Sequence, residues 1–405
     1  MNILPVRTLA AAALCLALAL MAGTGWAASD ADFLATLDTA DRQEFSAWHT
    51  ANAQFERRLD AYWQDIEKKR RGRRPKRGTG KLYEADDYVW TFPPEYKGPK
   101  LSGAVARRWA SYKAARERAQ PERKKKRSLP DIGDFLAASK QHYGFVPTRI
   151  PEVEFKRRYA KEALALGLTK TQVVRVYALE TGGNGTADMQ AGIHPISKKG
   201  RPISSALGYA QLLHANTIGE LVKHGDDFIA RLRRLAEATR EPARARELEG
   251  KIAALQRMLR AARTVPNDWY RHVDFAQGSR GYGMHAINLD GDIGPWLQSM
   301  KLRGLKDFAR RKGVTNLSGE EIELMNLSGP ATGLEMMQPA GLTAPTPNFF
   351  SRRAYYVNKM VIGKTSAELL AEFTRRMDAS SRQPGAIEFA QAFDEVGGLE
   401  KLPWR

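Results

Sequence analysis

From about residue 150 to its end the chain repeats its apolar side chains at three- and four-residue steps and scarcely anywhere alternates apolar with polar. That periodicity confines the region to packed helices, because an α-helix brings i, i+3 and i+4 to one face whereas a half-buried strand needs a period of two. Glu152 to Leu166 reads as one helix, opened by Pro151 and closed by Gly167. Thr169 caps the next, which runs through Gln172 to Glu180 and stops at Gly182-Gly183. Ser205 to Leu213 reads as a third element, with Ser204-Ser205 as a helix cap. Asp227 to Arg263 is a charged helical pair broken at Pro242, and its Leu248, Ile252, Leu255 and Leu259 form an apolar stripe of the packing kind. Thr365 with Glu368 makes a capping box ahead of Leu369, Leu370, Phe373 and Met377. The expected class is mainly α: a helical domain over 148–405, with a helical insertion at about 218–280.

Residues 28–147 have a different character, basic and partly irregular. Phe45, Trp48, Phe55, Leu59 and Trp63 recur at helical spacing, and two charge runs follow, Lys68 to Lys81 and Arg123 to Arg127. Between the runs, Tyr83, Tyr88, Trp90, Phe92 and Tyr96 with Pro93-Pro94 read as an ordered aromatic turn segment. The basic residues of 68–127 suit a patch for anionic envelope surfaces. The competing expectation is a solvated, partly disordered stretch, since blocks of like charge repel one another. Lys+Arg of 64 against Asp+Glu of 45 gives a net charge of +19, which calls for an anionic partner without choosing it. No recognition motif frames the runs, so nucleic acid is not expected.

The first residues read as an export signal. Arg7 precedes an apolar run from Leu9 to Met21, and Gly25-Trp26-Ala27 places the cleavage after Ala27, so that 1–27 is a signal peptide. The run is short for the ~20 residues of a bilayer span. The single cysteine, Cys15, lies within it. A mature chain without thiols excludes a disulfide scaffold and a cysteine-ligated zinc or iron–sulfur site.

One carboxylate looks misplaced. Val173, Val176 and Tyr177 share a helical face, and the next step on that face is Glu180. Burial there and the negative end of the helix dipole both favour the protonated acid, the form that a general acid needs. The alternative is a Glu180 that reaches solvent or pairs with Arg175 or Arg201. Asp188, eight residues on, is either a second carboxylate for hydrolysis or the support of a polar turn. Asp290-Gly291-Asp292 begins like a calcium loop but lacks its spacing and closing Glu, and reads as a turn before the helix of Trp296 and Leu297. His194, His214, His224, His272 and His285 offer no i, i+4 zinc pair, so neither metal nor cofactor is expected.

Tyr177-Ala178-Leu179-Glu180-Thr181-Gly182-Gly183, followed by Ala206-Leu207-Gly208-Tyr209-Ala210-Gln211-Leu212-Leu213, resembles the catalytic domain of soluble lytic transglycosylases, of the lysozyme-like superfamily. Met325-Asn326-Leu327-Ser328-Gly329-Pro330 is similar to that family's Ala-Tyr-Asn-Ala-Gly-Pro element, and Tyr356-Val357 to its closing Tyr-Val. The resemblance spans about 150–378, with Thr181 in place of Ser, Tyr209-Ala210 in place of Leu-Met and Met325 in place of Tyr. It implies a lysozyme-like helical fold and a periplasmic enzyme that cleaves peptidoglycan between N-acetylmuramic acid and N-acetylglucosamine, leaving a 1,6-anhydro end. Glu180 would then be the single acid and base. Thr181, Gly182, Gln211, Asn326 and Tyr356 would contact or orient the sugar. The alternative from another class is a non-catalytic wall-binding or scaffolding protein that keeps the groove.

Overall fold

The computed structural model describes residues 28–79, 81–119 and 129–397. The expected signal peptide, 1–27, and the run Arg123 to Arg127 lie outside the described residues. Contacts divide the described residues into two compact units, 28–65 with 93–119 and 66–92 with 129–397. The described residues of 66–92 and 129–147 fall in the larger unit.

The smaller unit holds α1 (Ala28–Ala35), the first part of α2 (Thr39–Thr79) and α3 (Gly103–Ala119). Phe33, Leu37, Phe45 and Val105 are buried together. The Trp109 and Tyr112 rings lie 4.8 and 5.2 Å from that of Phe33. The region is thus more regular than its composition suggests, and α2 stays helical through the first charge run.

Within the larger unit that run is ordered by internal partners. Arg73 is 2% exposed. It donates through Nε to Glu335 Oε1, through Nη1 to the Asp87 carbonyl and through Nη2 to the Asn348 carbonyl, each at 2.6 Å. Its guanidinium also lies 4.7 Å over the Tyr88 ring. Arg77 takes the other oxygen of Glu335, and Lys76 pairs with Asp87. Lys68, Arg71 and Arg74 stay exposed.

The larger unit continues with α4 (Ile132–Tyr143), α5 (Glu152–Ala165), α6 (Lys170–Thr181), α7 (His214–Ala238), α8 (Pro242–Ala262), α9 (Trp269–Ala276), α10 (Ser279–His285) and α11 (Gly294–Arg310). It ends with α12 (Gly319–Ser328), α13 (Pro330–Met336), α14 (Pro339–Thr343), α15 (Arg352–Val357), α16 (Ser366–Ser380) and α17 (Pro384–Glu395). The caps act where the residues suggest. Thr169 and Gln172 form a capping box on α6, Thr365 and Glu368 one on α16, and Gly182 ends α6 in the left-handed region at φ 65°. Among the described residues, β structure is limited to isolated bridges.

Two apolar cores form. One joins α5, α6, α11, α12 and α17 around Tyr159, Tyr177, Tyr209 and Phe389, whose rings meet at 4.8–5.6 Å. The other seats α7 against α8, with Leu248, Leu255 and Leu259 buried in it. A charged cluster ties α8 to the chain. Lys251 Nζ lies 2.9 Å from Asp290 and 2.5 Å from Asp292, all three side chains being at most 4% exposed. The Asp290-Gly291-Asp292 turn is thus filled by an ammonium.

Ser205 to Leu213 is not a helix. Leu207 and Leu212 exchange backbone hydrogen bonds at 3.0 Å each way and close a tight loop. In that loop Gly208 (φ 76°) and Gln211 (φ 41°) are left-handed, and a Cβ at 208 would come within 2.4 Å of Gln298 Nε2. Ser205 does reach a helix start, its Oγ accepting from the amide of His214 at 3.3 Å.

Candidate functional site

A cavity of about 690 Å³ opens beside the last turn of α6, a size typical of small-ligand sites. Glu180 enters from α6, Glu323 and Asn326 from α12, Lys301 from α11, and Gln211 from the tight loop. Glu220 and Lys223 of α7 and Trp269 and His272 of α9 also line it. Helices of both cores therefore bound one space.

The acid at its centre is placed by helix periodicity. Val173, Val176 and Tyr177 are each 1% exposed, and Glu180 follows them as the helix surfaces into the cavity, half-buried. Asn326 Nδ2 donates to Glu180 Oε1 at 3.2 Å and to Glu323 Oε2 at 3.3 Å. The two carboxyls are also hydrogen-bonded to each other. Burial pushes Glu180 up to about 7, against the opposing pull of its hydrogen bonds from Glu323 and Asn326. Burial, and then the charge of Glu180, holds Glu323 well above the usual carboxylate range.

No guanidinium clasps Glu180 among the described residues. Arg175 instead pairs with Glu320 at 3.3 Å and Asp378 at 2.8 Å, and Arg201 does not line the cavity. Lys301 contributes a field. Burial lowers its ammonium pKa, while Glu220 and Glu323 raise it.

Gln211 is held by its own amide, Nε2 donating to the Gly208 carbonyl at 2.7 Å and the Met189 carbonyl at 3.2 Å. These bonds offset the cost of a left-handed non-glycine residue, about 1 kcal/mol. With the amide hydrogens engaged, the side chain offers the cavity an acceptor.

Glu180, Gln211 and Asn326 thus meet in one cavity, and three expected contacts do not. Thr181 turns back, its Oγ1 donating to the Tyr177 carbonyl at 2.7 Å, because a hydroxyl in the last turn finds the i−4 carbonyl first. Gly182 serves the helix cap, and its neighbour Gly183 meets α16 rather than a ligand, since a Cβ there would lie 2.0 Å from the Ser380 carbonyl oxygen. Of the Tyr355-Tyr356 pair the buried member is Tyr355, whose hydroxyl accepts from the Gly363 amide at 2.9 Å; Tyr356 is 44% exposed and outside the cavity. Met325 is fully buried in the first core.

Asp188 lies elsewhere too. Arg149, Lys198 and Thr186 hold its carboxylate at 2.6–2.8 Å and, against burial, bring its pKa down to about 2. Among the described residues no group of three or more His, Cys, Asp or Glu is placed to hold a metal ion. Sequence reasoning missed Glu323. Its i, i+3 spacing to Asn326 puts the two on one helical face, a signal available once Asn326 is singled out. No family model, curated protein or solved structure matches the chain significantly.

Proposed function

We propose that this chain is an exported, periplasmic peptidoglycan lytic transglycosylase whose larger unit has a lysozyme-like fold. The observation that carries the proposal is the Glu180 carboxyl, set in a sugar-sized cavity with no ion pair to it among the described residues and raised to about 7. An acid that keeps its proton near neutral pH can protonate the bridging oxygen between N-acetylmuramic acid and N-acetylglucosamine. The resulting carboxylate then takes the proton of the muramoyl C6 hydroxyl as that oxygen bonds to C1, closing a 1,6-anhydro ring.

The second carboxyl supports this route over hydrolysis. Hydrolases hold their two carboxyls about 5–5.5 Å apart when retaining and about 6.5–9.5 Å apart when inverting, with sugar or water between them. Glu323 is bonded to Glu180 directly and leaves no such gap. Gln211 and Asn326 remain as sugar contacts, while Thr181, Gly182 and Tyr356 do not. The exposed Lys68, Arg71 and Arg74 are available to anionic envelope surfaces.

The test is digestion of purified sacculi by the chain from Ala28 onward, with products read by mass spectrometry. Anhydro-muropeptides are expected, reduced ~10²–10⁴-fold by Glu180→Gln, the usual weight of general acid–base catalysis. Reducing ends would replace the proposal with hydrolysis. Binding to sacculi without cleavage would replace it with the non-catalytic scaffold.

A further inference from the structure

The partner that α12 sets against Glu180 has no part in the mechanism above, and its surroundings define one. Glu323 is 4% exposed, so an ionised carboxylate would have no water to stabilise it there, and the one cation acting on it, Lys301, does so through space rather than as an ion pair. No ion pair to it exists among the described residues, and Asn326 Nδ2 satisfies only one of its oxygens. Two carboxyl oxygens sit in hydrogen-bonding contact only with a proton between them. The more exposed Glu180 is the better place for a negative charge, so that proton resides on Glu323.

The other charges near it do not alter this. Lys301 of α11 acts on Glu323 through space, and Glu220, Lys223 and His272, which line the same cavity, are not among the groups that shift it. Behind α12, the Asp378 and Glu372 carboxylates of α16 are tied to Arg175, Arg375 and Arg376, and Glu335 of α13 to Arg73 and Arg77.

We propose that Glu323 works as a neutral carboxylic acid whose hydrogen bond to Glu180 holds the Glu180 carboxylate in place once it has given up its own proton. The role rests on the reaction proposed above. As the C1–O bond to the leaving sugar breaks, the Glu180 proton goes to the leaving oxygen. The new carboxylate accepts the Glu323 hydrogen bond. The C6 oxygen then bonds to C1, and its proton returns to Glu180. The pair alternates between two protons and one, and no water is consumed. Glu323 is a positioning residue that acts through Glu180.

The sign of a pH shift tests this. Sacculus cleavage is followed against pH for wild type, Glu323→Gln and Glu323→Leu. Glutamine supplies a neutral donor of the same shape, so the alkaline midpoint should stay within about half a pH unit of wild type. Leucine removes the donor, so the midpoint should rise by about one unit and the rate fall by about tenfold or more. A midpoint that falls by more than about one unit in Glu323→Gln would mean that a negative charge had been removed, and would overturn the proposal.

Melting temperatures of wild type and Glu323→Gln judge the same point without activity. An acid with a raised folded pKa gives stability that is complete below its unfolded value and lost as pH rises. The glutamine variant should therefore gain on wild type as pH rises above the unfolded carboxyl value. A constant difference would overturn the proposal. If no cleavage occurs at any pH, the reaction fails while the melting series still decides the state of Glu323.

Discussion

Three acids of this chain share a side-chain chemistry and differ in state because their surroundings differ. Glu180 and Glu323 meet each other and an amide in a drying space, and both are raised. Asp188 meets two cations and a hydroxyl, and is depressed to about 2. Asp188 is therefore a stabilising residue outside the cavity, with no part in the proposed reaction. Asp188→Asn should leave sacculus cleavage intact and cost about 1 kcal/mol at pH 7, after allowing for solvent screening of a partly open cluster. A depressed pKa gives stability that is full above the unfolded value of about 4 and lost as pH falls towards 2. Urea unfolding at pH 7 and pH 2.5 should show the difference between the two proteins closing. The apolar face of one helix, continued by a single step, was enough to mark Glu180. Glu323 was hidden because Glu320, Glu321 and Glu323 together look like the solvated start of a helix. Only the approach of α12 to α6 separates the buried one from its neighbours.

At the level of elements, the helix limits written in the sequence are those set by neighbours in the chain. Pro151, Thr169 with Gln172, Gly182, Pro242 and Thr365 with Glu368 start or stop helices through bonds that span a few residues. The loop over 205–213 was misread because its shape depends on Gln298, far along the chain, and on a left-handed Gln211 that no composition announces. The charged cluster behind α8 has the same non-local character. Its aspartates resemble an ion loop until Lys251 arrives from another helix. Lys251→Met should destabilise the protein by about 3–5 kcal/mol, because the buried Asp290 loses its cation while Asp292 keeps Arg158 and Arg244. Equilibrium denaturation in urea measures this directly.

For the whole molecule, part of the basic N-terminal region falls with the helical region. The described residues of 66–92 belong with 129–397, and Arg73 and Arg77 both reach Glu335, which is 1% exposed. A chain beginning at residue 128 would lose both cations of that carboxylate together with the segment that covers it. It should melt below a chain beginning at residue 66, and calorimetry of the two would check it. The cavity has a similar dependence on scale, since its walls come from two separately packed cores. Were the cores to part, solvent would flood the carboxyl pair and take away the dryness that retains its hydrogens. Shape and acidity are thereby one variable: the cleft is armed only while it is shut.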